Sequence, residues 1–254
     1  MRRIAVETWV QWHRLLIAWR HDPRTVIEAL LLPVMFLLAV DLVFGRPVTA
    51  VSGHDALYGT VPMTALVGAV FGSSAAGIAL MRERDEGLLA RMWVLPISRS
   101  SALVARFAAE AARILLSVAV VLVAGVALGF RFTQGVWVLP LYVCIPVVFG
   151  LGFSVLVVTV AVRLSNVVVA EATGLGIALL VFFATGFVPL TQYPAWLQPV
   201  VQYQPMSCAI DAMKGLALGG PVAAPALGVL VWSVGTAALC AAPMLTGYRH
   251  ASTR

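Results

Sequence analysis

The chain has 254 residues, 61% of them hydrophobic and 11% charged, with a formal net charge of +6 and a mean hydropathy of +0.97. Ordinary soluble domains carry about 25% charge, so a water-soluble fold of this composition would expose greasy patches and aggregate; disorder, which needs little apolar content and much charge, is excluded too. The solvent is lipid, and at about 20 residues per crossing the length accommodates roughly six helical spans with short connections and no sizeable soluble domain.

Residues 1–25 lack the continuous apolar stretch of a signal peptide and carry charges throughout. Trp9, Val10, Trp12, Leu16, Ile17 and Trp19 recur near helical spacing, opposite a stripe of Arg3, Glu7, Gln11 and Arg14. That pattern predicts an amphipathic helix lying in the membrane interface with its tryptophans at headgroup depth. It fits a plain anchor and equally a helix that also touches a cytoplasmic partner. Residues 26–254 then read as one membrane domain with spans at 26–44, 60–81, 111–130, 137–162, 168–188 and 223–245. Each apolar run is long enough to cross a hydrocarbon layer of about 30 Å at 1.5 Å per residue.

Charge sets the orientation. With these spans, fourteen of the 17 Lys and Arg residues fall on one side and only Arg46, Arg131 and Lys214 on the other. Basic loops stay in the cytoplasm, which predicts cytoplasmic N- and C-termini in a multi-pass membrane protein. The basic excess is thus an orientation signal and an attraction to anionic lipid headgroups, not a nucleic-acid footprint.

Much chemistry is missing. The only lysine is Lys214, followed by Gly215, so no phosphate-cradling Gly-x-x-x-x-Gly-Lys-Ser/Thr loop exists. His13, His21, His54 and His250 pair into no zinc motif, and no Gly-x-Ser-x-Gly elbow is present. Cys144 and Cys240 sit in apolar runs and Cys208 in a loop, an odd set without disulfide or metal spacing. An ion-coupled transporter needs buried ionisable groups near the midplane, and Glu171, near the start of span five, is the one candidate. Glu28 and Asp41 lie near the ends of span one, where charge is cheap to keep. All three are read either as helix-end charges or, for Glu171, as a group facing the bundle interior. No inverted repeat relates the two halves.

The informative stretch joins spans two and three. A charge cluster from Arg82 through Arg84 to Glu86 precedes Gly87, which permits a sharp turn or close backbone approach. Leu88, Leu89, Met92 and Leu95 then form an apolar stripe at i, i+1, i+4 and i+7, with Arg91 between, and Pro96 ends the helix. The result is a short amphipathic helix beneath the membrane. This loop resembles the coupling loop of type-2 ATP-binding-cassette (ABC) exporters, the drug- and polysaccharide-exporter permeases. There an acidic residue and Gly precede a short helix ending before Pro, matched here by Glu86, Gly87 and Pro96. The family often carries Thr after the Gly and a second acid on the helix, where this chain has Leu88 and Ala90.

A second similarity lies between spans five and six. Gly186-Phe-Val-Pro189, Pro194-Ala-Trp196, Pro205 and Ala209-Ile-Asp211-Ala look like the family's extracellular re-entrant region, with Lys214 where Arg is usual. A cation there reads as solvated or headgroup-facing, and the Pro-broken helices with Tyr193, Trp196 and Tyr203 should dip into the outer leaflet; a plain wet loop is the other reading. In pattern the chain most resembles daunorubicin-resistance-type permeases of antibiotic-producing and related bacteria, which implies a place in a bacterial plasma membrane.

The resemblance implies an all-α transport subunit without its own ATPase site, partnered by two copies of an ABC ATPase that bind ATP and Mg, and by a second permease chain, homo- or heterodimeric. It implies export of a hydrophobic or amphipathic small molecule; an ion-coupled drug or lipid transporter is the alternative. The coupling residues would be Arg84, Glu86, Gly87, Leu88, Arg91, Met92, Leu95 and Pro96. Gly68 and Gly72 form a Gly-x-x-x-Gly face in span two, which suits ordinary packing or a moving seam, and Gly125 with Gly129 repeats the pattern in span three. Glu171, Phe182 and Phe183 would lie along the substrate path or dimer seam, although such phenylalanines also suit lipid or core.

Overall fold

The computed structural model describes residues 9, 12, 13, 27, 31–52, 55–85, 99–163, 176 and 178–252. Among them the chain is helical, with no strand. Seven α-helices lie wholly within the described residues: α1 Leu32–Ser52, α2 Leu57–Asp85, α3 Arg99–Leu128, α4 Leu139–Arg163, α5 Gln198–Tyr203, α6 Pro205–Leu218 and α7 Ala223–Ser252. Two single 3-10 turns, Val136–Val138 and Leu190–Gln192, precede α4 and α5.

Among the described residues four segments are long and apolar enough to cross a membrane: Leu57–Glu83, Val104–Leu128, Val136–Arg163 and Ala223–Met244, with a shorter apolar stretch at Leu32–Val43. They correspond to the expected spans two, three, four and six, and the shorter stretch overlaps span one. Two boundaries need correction. The third span begins at Val104 rather than 111, because the helix runs unbroken from Arg99; Glu110 and Arg113 therefore fall inside it. Residues 178–182 are helical but 183–188 are not, so the span-five helix stops at Phe182 rather than at 188. The rest of that span lies largely in 164–175, outside the described residues.

Helix α2 is the hub and packs against α1, α3, α4 and α6, while α4 also packs along α7. Gly68 and Gly72 of α2 meet Ser117 and Arg113 of α3, so that pair is antiparallel. Arg163, at the end of α4, donates to Pro243 O at 3.0 Å and Thr246 Oγ1 at 2.6 Å, and Gly152 meets Ser233, so α4 and α7 run the same way. Arg106 and Arg163 thus mark one end of the bundle, and Arg131 and Lys214 the other.

The Lys214 end is closed by two local devices. Phe130 packs on Tyr58 and Phe132 at centroid distances of 5.2 Å, and Phe132 packs edge-on against Tyr142 at 5.2 Å, an aromatic knot of favourable geometry. Arg131 Nη1 donates to Val126 O (2.7 Å) and Phe130 O (2.9 Å), supplying a cation and donors to the exposed carbonyls at the end of α3. Helix α6 starts on Pro205, where a missing N–H costs nothing, and ends on Gly219, whose φ of 85° is the left-handed cap. Its last carbonyls receive Thr133 N–H (3.0 Å), Thr133 Oγ1 (2.8 Å) and Gln134 Nε2 (3.3 Å) from the α3–α4 connection. Ten of its residues are buried, Cys208 among them, which corrects the placing of Cys208 in a loop.

Candidate functional site: a buried ion pair and a polar cradle

The first polar cluster lies between α2 and α3, in the middle of two apolar spans. Glu110 and Arg113 stand one turn apart on α3, with side chains only 3% and 4% exposed. Arg113 Nη2 donates to Glu110 Oε1 at 2.6 Å and its Nε to Oε2 at 3.0 Å, the two-point fork that guanidinium and carboxylate favour. The same guanidinium donates to Gly68 O (3.2 Å) and Ala69 O (2.9 Å) of α2, and Ser73 Oγ donates to Glu110 Oε1 at 2.6 Å. A methyl group at position 72 would overlap the guanidinium. Glycine at 72 is what lets a charged group cross from α3 to the backbone of α2. The Gly68–Gly72 face is therefore covered inside the chain, Gly68 by Ser117 and Pro33.

This cluster was missed in the sequence, where Glu171 stood as the sole ionisable candidate and Arg113 sat at a span edge. The available signal was opposite charges at i and i+3 followed by an unbroken apolar run, with small residues on the partner span. A lone charge at mid-helix costs about 2.5–3.5 kcal/mol on insertion scales; a forked pair with further hydrogen bonds satisfies both charges locally. The arrangement binds α2 to α3 and carries no net charge.

The second cluster forms where the chain leaves helical conformation after Phe182. Backbone that leaves the helix among packed elements must find hydrogen-bond partners there, and α6 with its approach supplies them. Thr185 N–H donates to Ser207 Oγ at 3.3 Å, and Thr185 Oγ1 to Asp211 Oδ1 at 2.7 Å. Lys214 Nζ donates to Thr185 O, and Gln204 Nε2 to Phe183 O. Tyr193 OH donates to Ala184 O at 3.3 Å. Burial pushes the Asp211 carboxyl up, with the Thr185 hydrogen bond and Lys214 pulling the other way; burial pushes Lys214 down, opposed by Asp211. Lys214, read from the sequence as solvated or headgroup-facing, is partly buried and engages the Thr185 carbonyl. It is packed beside Gly59, where a methyl group would strike the carbonyl of Gly186, so α2 touches this turn through bare backbone.

A cavity of about 170 Å³ opens between α1, the start of α2, the 185–189 turn and α6, with Lys214 and Asp55 as its charged members. Asp55 Oδ1 accepts the Leu57 N–H at 3.0 Å, which satisfies one free donor at the start of α2.

The remaining expected residues divide. Glu86, Gly87, Leu88, Arg91, Met92, Leu95 and Pro96 lie in 86–98, and Glu171 in 164–175, outside the described residues; Arg84 is in the last turn of α2. Pro189 precedes the 3-10 turn, Pro205 opens α6 and Asp211 lies within it. Trp196 is 77% exposed and Phe182 73%. Phe183 borders a shallow apolar groove with Leu179, Leu197 and Val200. Thr185, Ser207 and Gln204 gave no signal in the sequence, since hydrogen bonding to a broken helix is visible only once the break is located.

Residues 6–218 match the family described as ABC-2 type transporter. The chain belongs to that family. It is 45% identical over 252 residues to the probable doxorubicin resistance ABC transporter permease protein DrrC of Mycobacterium tuberculosis, spanning 99% of this chain and 91% of that one. It is 26% identical over 207 residues to the daunorubicin resistance ABC transporter permease protein DrrB1 of Streptomyces coeruleorubidus, spanning 81% of this chain and 73% of that one. As an ABC-2 type chain with several apolar helices it is a multi-pass membrane protein, and both clusters belong to its bundle.

Proposed function

We propose that this chain is the membrane-spanning subunit of an ATP-driven exporter that expels a hydrophobic or amphipathic small molecule, drug-like or lipid-like, from a bacterial cell. The observation that carries this reading is the near full-length similarity to a doxorubicin-resistance permease, in a chain that has no phosphate-binding loop. Two ATPase subunits on separate chains hold the ATP and Mg. A second permease chain completes the pathway, six spans are contributed by each, and both termini are cytoplasmic.

The force path follows from α2. Residues Glu86–Pro96 dock in the ATPase, and Arg84 joins them directly to α2. That helix is 29 residues long, about 43 Å at 1.5 Å per residue. It carries the contact with Arg113 halfway along and reaches the polar cradle through Gly59. The Glu110–Arg113 fork makes α2 and α3 a single lever on either side of the docking segment. ATP-driven closure of the ATPases then tilts the lever and changes the packing of its far end against the 183–188 turn, a rigid-body transition between discrete arrangements. Gly68 and Gly72 act in this lever, and Glu171, Phe182 and Phe183 border the route of the cargo. Ion-driven exchange needs a carboxylate free to take up and release its ion; Glu110, the one fully buried carboxylate among the described residues, is engaged by Arg113 and Ser73.

Membrane vesicles holding this chain alone should show neither ATP hydrolysis nor proton-driven efflux, and co-expression with the cognate ATPase should switch on vanadate-sensitive export. Glu86→Lys and Gly87→Val should abolish capture of the ATPase while leaving membrane insertion intact. Efflux driven by a pH gradient without any ATPase, or normal transport in both variants, would overturn the reading.

A further inference from the structure

The cavity at the Lys214 end has a charge arrangement that neither the lever nor the family assignment uses. Lys214, on α6, and Asp55, between α1 and α2, line the same space. No ion pair joins them among the described residues, where the pairs are Arg106–Glu83 and Arg113–Glu110. Lys214 Nζ spends a hydrogen bond on Thr185 O, and an ammonium has three donors. One oxygen of Asp55 accepts the Leu57 N–H, and an ionised carboxylate has about four acceptor positions on two oxygens. Between the two charges the walls are apolar, including Val48, Ala56, Phe187 and Leu218.

A bare anion is a poor occupant. Asp211 sits one turn before Lys214 on the same helix, so two carboxylates face the neighbourhood of one ammonium. A bare cation meets Lys214. An occupant carrying both charges, a short distance apart, satisfies both walls. Depth narrows the class further. Lys214 lies about one turn from the α6–α7 connection and Asp55 in the α1–α2 connection, at the end of the bundle where Trp137, 74% exposed, precedes α4; exposed tryptophan marks the membrane–water interface. The cavity therefore stands at headgroup level.

We propose that this cavity binds a zwitterionic phosphoethanolamine headgroup, its phosphate on the Lys214 ammonium and its primary amine on the Asp55 carboxylate. The amine is two carbons from the phosphate ester, and it keeps N–H donors that Asp55 can accept; a choline headgroup has the same charges without those donors. The glycerol and first methylenes rest against the apolar wall. This assignment needs only that the Lys214 end lies at a membrane surface, and stands whether or not export proves to be ATP-driven.

The test uses the full chain in membranes containing equal amounts of phosphatidylethanolamine, phosphatidylcholine and phosphatidylglycerol, with retained lipid read by native mass spectrometry. The expected result is preferential retention of phosphatidylethanolamine. Asp55→Asn keeps the oxygen that accepts the Leu57 N–H but removes the charge, and should reduce that retention about tenfold, the scale of one charged hydrogen bond. Lys214→Gln should do the same; because it also takes a donor from Thr185, its fold is checked by size-exclusion profile, and the Asp55→Asn result stands without it. Displacement of the lipid by soluble glycerophosphoethanolamine would support the headgroup contacts and show that a free headgroup can be the source; retention against it would support the same contacts with bilayer lipid as the source. Equal retention of all three lipids, or an unchanged preference in the Asp55→Asn protein, would overturn the assignment.

Discussion

The guanidinium of Arg113 fills the space that a side chain at position 72 would occupy. Gly72→Ala must therefore either part α2 from α3 or push Arg113 off the carbonyls of Gly68 and Ala69. If the fork breaks, the cost is that of an uncompensated buried charge, about 3–5 kcal/mol. Gly235→Ala is the matched control, since a methyl there meets open space, and it should change stability by no more than about 1 kcal/mol. Thermal unfolding in detergent distinguishes the two, and similar melting temperatures would show that the seam adapts.

The ion pair itself should be worth keeping or removing only as a whole. Glu110→Ala leaves the guanidinium buried without its acid and should cost about 3–5 kcal/mol. Replacing both Glu110 and Arg113 with methionine should recover most of that loss, because apolar replacement of a complete buried pair is often neutral. The Arg106–Glu83 pair, at 2.6 Å but 16% and 27% exposed, should give only about 0.2–1 kcal/mol in the same double-mutant cycle. A coupling energy for Glu110–Arg113 no larger than that of Arg106–Glu83 would remove the clamp from the lever.

How much of this was legible beforehand depended on the physical signal each feature leaves. Four spans were readable because long apolar runs have one explanation in a chain so poor in charge. Pro205 was read only as one of the prolines of the re-entrant region, and the helix that it opens is seen in the structure alone. The Glu110–Arg113 pair was hidden because charge near an apolar run normally marks its edge, and the run was cut there; only the continuous α3 backbone carries both residues inward. The contact between Lys214 and the Thr185 carbonyl left no trace in the sequence for a related reason, because it depends on where the neighbouring turn lies in space.

Gly59 offers a test of the far end of the lever. Its missing side chain allows the α2 backbone to reach the carbonyl of Gly186 beside Lys214. Gly59→Val should separate α2 from the 183–188 turn, an overpacking cost of about 1–3 kcal/mol. Because Gly59 lies near the start of α2, away from Gly72 and from the Asp85 end of that helix, the proposed export mechanism expects the variant still to capture the ATPase while export falls. Undiminished export by a variant that inserts normally would disconnect the polar cradle from transport.

The cradle also carries a pH signature. Burial raises the Asp211 carboxyl above its ordinary value of 3.8, so between that value and the raised one the folded chain holds a proton that the unfolded chain has released. Stability must then fall as pH rises through this window, with the favourable contribution fully present below pH 3.8. Asp211→Asn removes the titrating group and should flatten this fall while keeping an oxygen for the Thr185 hydroxyl. Lys214→Gln should steepen it and extend it to higher pH, because Lys214 is one of the two influences holding the carboxyl down. Melting temperatures from pH 4 to 7, referred to wild type, measure both changes; a slope unaffected by Asp211→Asn would mean that another group sets it and that Asp211 is ionised in the folded protein across the window.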